Sequence, residues 1–310
     1  MIFGIPHDLH PTAIAYRKDL FDEAHVDLAA AKTWPEFADA CRAFRHYWLK
    51  QGKRRWPIGL AKTSSDNIVI MLQQQRLNLV DDENKIYLND PRVARTLRLY
   101  ADMVAGSDPA GTDFNPAPGL KYRDIANGDV CASILPDWEV SYTKRYAPDV
   151  AGKLAMMPLP KFNPNDSPTA SWGGTMIGIP RDCKDPEASW KLIEALYLDH
   201  DAVAYRRQSD DILPPIRSYW SDDVYQHGDP FFYNSQNVNQ LYIHLAEDLP
   251  TRIMTPFTLV AHQLLSDVLN RAVERIDANE TLNLDHDIQA WLDEAAEDLE
   301  VRIKFGMFDD

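Results

Sequence analysis

The hydrophobic positions of the chain follow two spacings that alternate along its length. Short apolar runs at Thr12–Tyr16, Pro57–Leu60, Val130–Leu135, Leu154–Leu159 and Gly174–Ile179 have the length and bounding turn residues of strands. Between them the spacing is helical. Phe37, Cys41, Phe44 and Trp48 recur three or four apart and predict an amphipathic helix over Trp34–Lys50. Its start is marked by Thr33-Trp34-Pro35-Glu36, in which Thr33 accepts from the first turn while Glu36 reaches back to it. Asn89-Asp90-Pro91 opens a second such helix, with Val93, Leu97, Tyr100 and Val104 as its buried stripe and Gly106 as its stop. Shorter helical patterns run from Arg17 to about Ala24, from Ile68 to about Leu77, up to Asp124–Asn127, and over Trp138–Tyr146. Asp185-Pro186 begins another, with Trp190, Ile193 and Leu196 on one face. The segment 214–239 is irregular and rich in aromatics. Two long helices, about Pro256–Ala278 and Leu284–Phe305, finish the chain. Strands alternating with helices predict an α/β fold. Trp34, Trp48, Trp190 and Trp291 lie on helical stripes and are expected in the core.

Composition narrows the partners more than the fold. A chain of 310 residues can form one large domain or two smaller ones. The net charge of -15 argues against nucleic acid or an anionic membrane as the main partner, since both need cationic patches. No run approaches the about 20 apolar residues of a membrane span. The opening MIFGIPHDLH has no basic segment followed by an apolar one, so the chain as written carries no secretion signal and would stay in the cytoplasm. Cys41, Cys131 and Cys183 form no CxxC pair and are expected to be small buried apolar residues. Neither G-x-S-x-G nor H-E-x-x-H nor a Gly-rich phosphate loop occurs, and no cofactor is implied.

The candidate chemistry lies between Val130 and Pro180. Two of the predicted strands adjoin an aromatic-polar corner, Pro136-Asp137-Trp138 in one case and Ser171-Trp172-Gly173-Gly174 in the other. A Trp at a strand end beside a carboxylate offers a flat apolar face and an acceptor together. That combination suits a sugar ring, whose C–H face stacks while its hydroxyls form hydrogen bonds. The glycines let backbone approach a ligand; the alternative is a plain core Trp at each corner. Asp8, between His7 and His10, precedes the first strand and can accept charge-assisted bonds from hydroxyls. The same H-D-x-H stretch reads alternatively as a solvated loop or as a weak metal pair. Asp8 and Asp137 also form a conceivable carboxylate pair for glycoside hydrolysis, although nothing in the sequence fixes their separation.

Three stretches resemble motifs of the family 1 extracellular solute-binding proteins, the maltose-binding-protein-like receptors. IPHDLHPTAIAYRKDLFDEAHVDLAAAKTWPEFADAC is similar to the Y-x-K-D-L-F run that precedes a T-W-x-E-F helix. KYRDIANGDVCASILPDWEVSYTKRYAPDVAGKLAMMPLP resembles the F-x-x-G-x-A-A-M-x-x-x-G-x-W stretch and the strand after it, and SWGGTMIGIPRDCKDPEASWKLIEAL resembles the G-G-x-x-x-x-I-P crossover and helix. The resemblance implies a type II periplasmic-binding-protein-like fold, with two α/β lobes closing over ligand. It implies a receptor of an ABC importer for a sugar or oligosaccharide, with the permease subunits as partners, outside the cytoplasmic membrane and without enzymatic activity. Carried over residue by residue, it puts His7 and Asp8 at a lobe crossover. Trp138 becomes the pocket Trp, with Asp137, Trp172, Gly173 and Gly174 beside it. Asp66 and Asn67 fall in a strand-to-helix turn at the cleft edge, where helix capping is the plainer reading. Arg252 would point into the cleft or form a surface salt bridge. Hinges are expected near Pro6–Pro11 and Ser171–Gly174.

In one respect the chain departs from that pattern. The strand–helix units that open the family's N-terminal lobe are absent, and Met1 falls near the first crossover. The expectation is therefore an essentially complete C-terminal lobe (5–170 and 240–310) and only the returning part of the N-terminal lobe (172–238). Such a chain would be an intact receptor component, a non-binding remnant, or half of a split receptor whose exposed apolar edge pairs with a second chain.

Overall fold

The computed structural model describes residues 4–114 and 119–307, so the placement of Met1 at a crossover lies outside the described residues. The main sheet has the order β4-β3-β5-β2-β6. Its strands are β2 (Thr12–Arg17), β3 (Ile58–Gly59), β4 (Gly111–Thr112), β5 (Ala132–Pro136) and β6 (Leu154–Met157). β2 runs antiparallel to both neighbours, with Ile14 opposite Ile134 on β5 and Met157 on β6. β3 runs parallel to β4 and β5. Every residue of β2 is buried because both sheet faces are covered. Alternation along the strand sends Ile14 and Tyr16 into the larger core cluster and Ala13 and Ala15 into the one behind it.

The larger core holds α2 (Trp34–Lys50), whose Phe37, Cys41, Phe44 and Trp48 are all buried. Its capping box forms: Glu36 N donates to Thr33 Oγ1 at 3.3 Å, and Thr33 N donates to Glu36 Oε2 at 3.0 Å. α4 (Pro91–Val104), capped by Asp90 accepting from Arg92 N at 2.8 Å, packs with α10 (Thr258–Asp277) and α11 (Leu284–Phe305) on the same side. Around the sheet also lie α1 (Lys18–Glu23), α3 (Asp66–Gln74), α5 (Leu120–Asn127) and α6 (Trp138–Tyr146). α9 (Val238–Glu247) covers the second face, where Val238, Tyr242 and Leu245 join Leu135 and Met156. Phe232 belongs to that cluster too, so part of the aromatic segment assigned above to the returning unit packs on the main sheet. Among the described residues no helix is long and apolar enough to cross a membrane.

The remaining unit is small. β1 (Ile5–Pro6) and β7 (Met176–Ile177) make a two-stranded antiparallel sheet. Beside it stand α7 (Pro186–Ile193), a π-helical turn at Glu194–Leu198, and α8 (His200–Asp210). Here the sequence reading needs correction. Trp190, expected in the core, is 40% exposed, and Leu192, Leu196 and Tyr205 are exposed as well; Ile193 and Val203 are buried. A two-stranded sheet is too narrow to cover the apolar face that the spacing produced. Of the other core tryptophans, Trp34 and Trp48 are fully buried, and Trp291 is partly buried against the larger cluster. Cys41 and Cys131 are buried as expected, while Cys183 is half-buried.

Candidate functional site

The centre of the site is the end of β5. Asp137 follows the strand and turns the chain into α6, accepting from Trp138 N at 2.8 Å. The same Oδ1 accepts from His10 Nδ1 at 2.7 Å, and Oδ2 accepts from Leu213 N at 2.7 Å. Asp137 is 0% exposed, so it is a structural anchor and not the ligand acceptor that its place beside Trp138 predicts. Asp8 has the same fate. Its Oδ1 accepts from Thr175 N at 2.7 Å and lies 3.2 Å from His10 Nε2, and Oδ2 pairs with His7 Nδ1. The other ring nitrogen of His7 meets Arg206 of α8, and its ring edge meets Tyr197 with centroids 4.8 Å apart. His7 is thus turned inward onto protein groups.

His10 therefore bridges two buried carboxylates, and the bridge ties the segment before β2 to Thr175, Leu213 and the start of α6. Burial pulls the imidazole down, but the bonds to Asp137 and Asp8 outweigh it and raise His10 to about 9. For Asp8, burial pushes upward, and His10, Thr175 N–H and His7 together bring it down to about 2. Complete burial pushes the Asp137 carboxyl above its ordinary range, against the pull of His10 and the backbone donors. This arrangement bears on two of the readings left open by the sequence. Both ring nitrogens of His10 are occupied, and among the described residues no group of His, Cys, Asp and Glu is placed to hold a metal. Asp8 and Asp137 face each other through His10, buried and with their oxygens bonded to protein groups.

The aromatic corners do come together. Trp138 Nε1 donates to Trp172 O at 3.2 Å, and Trp172 N donates to His10 O at 3.1 Å. Gly173 follows Trp172 with φ +109°; a Cβ there would lie 2.9 Å from His10 Cδ2 and 3.6 Å from Trp138 Nε1. No other residue fits that turn without displacing the histidine. Gly174 follows with φ +110° and open space beside it. Arg252 reaches the same turn, donating from Nη1 to Gly173 O at 3.3 Å. It also lines a cavity of about 20 Å³ with Gln73, Thr258 and His262, roughly the room of one water. Burial and Arg252 both lower the pKa of His262, and Asp66 opposes them, so these three form one electrostatic neighbourhood. Asp66 is exposed on the first turn of α3. Its neighbour Asn67 is buried, and its Oδ1 accepts from Ala61 N at 3.2 Å and Tyr100 OH at 3.1 Å, fixing the turn.

Trp138, Trp172, Gly173 and Arg252 are thus gathered at one place, with Asp66 at its margin. Three participants escaped the sequence reading. His10 stands in the sequence as a flank of Asp8, with no signal that its partner lies far along the chain. Gln73, which accepts from Ser171 N at 3.2 Å, and His262 sit inside helical stretches that give no local mark of a site.

A sequence profile of the bacterial extracellular solute-binding proteins matches residues 1–229. A relative from Halalkalibacterium halodurans, described as an arabinooligosaccharide-binding protein, is 23% identical over 312 residues, covering 89% of this chain and 65% of its own. A Bacillus subtilis protein of the same description is 28% identical over 199 residues, covering 62% of this chain and 43% of its own. The chain spans under two thirds of the length of either. The structure of the sugar-binding protein MalE from the phytopathogen Xanthomonas citri matches with a TM-score of 0.69 at 21% identity, over 96% of this chain and 72% of that one. At that identity the likeness shows the fold, which is the periplasmic-binding-protein-like α/β fold expected from the motifs. The chain belongs to the bacterial extracellular solute-binding protein family.

Proposed function

We propose that this chain is the sugar-binding component of an ABC importer, capturing an oligosaccharide without covalent chemistry. The observation that carries the reading is the contact of the Trp138 indole N–H with the Trp172 carbonyl at the end of β5, both residues being only partly buried and the Trp172 ring resting on the larger core cluster. Gly173 brings backbone close to Trp138, and Arg252 donates a hydrogen bond to Gly173 O. Flat rings with polar groups at their edges are what a sugar requires. The names of the two relatives favour arabinooligosaccharides within that class. The division of labour follows the fold. The five-stranded sheet and its helices form the C-terminal lobe, and β1, β7, α7 and α8 form part of the other. Closure pivots where segments 6–11 and 171–174 cross between them, and the closed form is read by the permease on the outer face of the cytoplasmic membrane. Titration calorimetry with arabino- and maltooligosaccharides tests the binding site. Trp138→Ala should weaken the ligand that binds by at least about tenfold with unfolding unchanged. Unaltered affinity would refute the assignment of Trp138.

A second reading is favoured by the exposed Met176, Leu192, Leu196 and Tyr205. In it, the small unit completes itself against a complementary α/β segment or a second chain that covers this apolar face. Light scattering decides it: a strictly monomeric, non-associating chain over a wide concentration range would count against it.

A further inference from the structure

α6 has two unlike faces. Glu139, Val140 and Thr143 are buried against the protein, as a helix on a sheet requires. The other face carries Trp138, Tyr142 and Tyr146 at intervals of four residues. Tyr142 is 44% and Tyr146 54% exposed. An aromatic stripe at helical spacing is ordinarily the buried one; here it is turned to solvent. Its rings touch in sequence. Trp138 and Tyr142 meet edge to face with centroids 6.1 Å apart, and Tyr142 and Tyr146 lie nearly parallel, 12° apart, at 6.2 Å. Tyr122 of α5 joins the far end, stacked at 5.5 Å and 30° on Tyr146. Tyr122 is held by its hydroxyl donating to Glu139 at 3.3 Å, and Glu139 is itself paired with Lys121. The fixed rings begin at the Trp138 corner and continue out of it, along a span of about 12 Å by the rise of the helix.

We infer that this stripe is an extension of the binding site, a track on which a linear oligosaccharide continues after leaving the corner at Trp138. The inference rests on the sugar-binding reading above and adds to it a preference for chain length. Two features favour a glycan over a protein partner. The rings are continuous with the tryptophan corner, and Tyr142 and Tyr146 carry polar hydroxyls at their edges. A sugar chain alternates C–H faces with hydroxyls in the same manner, and stacking on Tyr costs little side-chain entropy because few torsions must be fixed.

The test uses the whole chain and the double variant Tyr142→Ser/Tyr146→Ser. Both residues are exposed, so the fold should stand. Each protein is titrated with arabino- and maltooligosaccharides from disaccharide to hexasaccharide. The expected result is that wild-type affinity rises with length. In the double variant, the hexasaccharide should weaken by about tenfold or more while the disaccharide is unchanged. Identical length dependence in the two proteins would overturn the track and leave the corner site standing. Self-association that disappears in the variant, with sugar binding intact at every length, would assign the stripe to a protein contact instead. Failure of the wild type to bind any sugar would refute the underlying reading.

Discussion

The buried bridge at His10 makes the stability of this protein depend on pH in a defined window. His10 lies between Asp137 Oδ1 at 2.7 Å and Asp8 Oδ1 at 3.2 Å, with almost no exposure, and is raised from 6.5 to about 9. A group whose pKa is higher in the folded state stabilises it fully below the unfolded value and loses that contribution as pH rises through the folded one. At about 1.4 kcal/mol per tenfold change in proton affinity, the bridge contributes roughly 3 kcal/mol at pH below 6.5, declining to nothing above about 9. Removing one partner from a buried charge pair costs a similar about 3–5 kcal/mol, because the carboxylates left behind stay buried. The perturbation is His10→Gln, which keeps a hydrogen-bonding side chain and abolishes the titration. Urea unfolding, followed by tryptophan fluorescence from below pH 6.5 to above pH 9, gives the free energy at each point. The wild type should be the more stable at the acid end and converge on the variant at the alkaline end. Parallel curves for the two proteins would refute the bridge as a charged element of the fold.

Other consequences can be checked in the same material. Asp8, lowered from 3.8 to about 2, supplies stability that is present above pH 3.8 and lost as pH falls toward 2. Asp8→Asn should therefore flatten the acid limb of the unfolding curve. Gly173→Ala combines a positive φ with a Cβ 2.9 Å from His10 Cδ2, and should cost about 1–3 kcal/mol and weaken sugar binding. Gly52→Ala, with φ +72° and open space beside it, is the control that carries strain alone; equal effects at the two positions would deny the contact with His10. Thr33→Ala removes one half of the capping box of α2 and should lower stability by about 1 kcal/mol in thermal or urea unfolding.

Where local chemistry decided the structure, the sequence was sufficient. Thr33 and Glu36 announce α2, Asp90-Pro91 announces α4, and the long helical pattern over Leu284–Phe305 announces α11. α8 carries no clear periodicity in the sequence: among its described side chains Val203 and Arg207 are the buried ones. Trp190 misled in the opposite sense, since helical spacing says that a face is apolar but not that anything covers it. At the candidate site, Trp138, Trp172, Gly173 and Arg252 are marked in the sequence by the corners that hold them and by family resemblance. Asp8, Asp137 and Asn67 were read as ligand groups because burial is set by distant chain. The bond from Leu213 N to Asp137 and that from Thr175 N to Asp8 join residues far apart in sequence, and no spacing rule reports them. His10 was hidden for the same reason: a histidine gains its role from the two carboxylates that enclose it.

The most direct test of the central claim is a calorimetric titration of the 310-residue chain with arabinooligosaccharides. Saturable binding, weakened by Trp138→Ala and accompanied by quenching or shift of tryptophan fluorescence, is the predicted result. A folded chain that binds neither these nor maltooligosaccharides at millimolar concentration would contradict it.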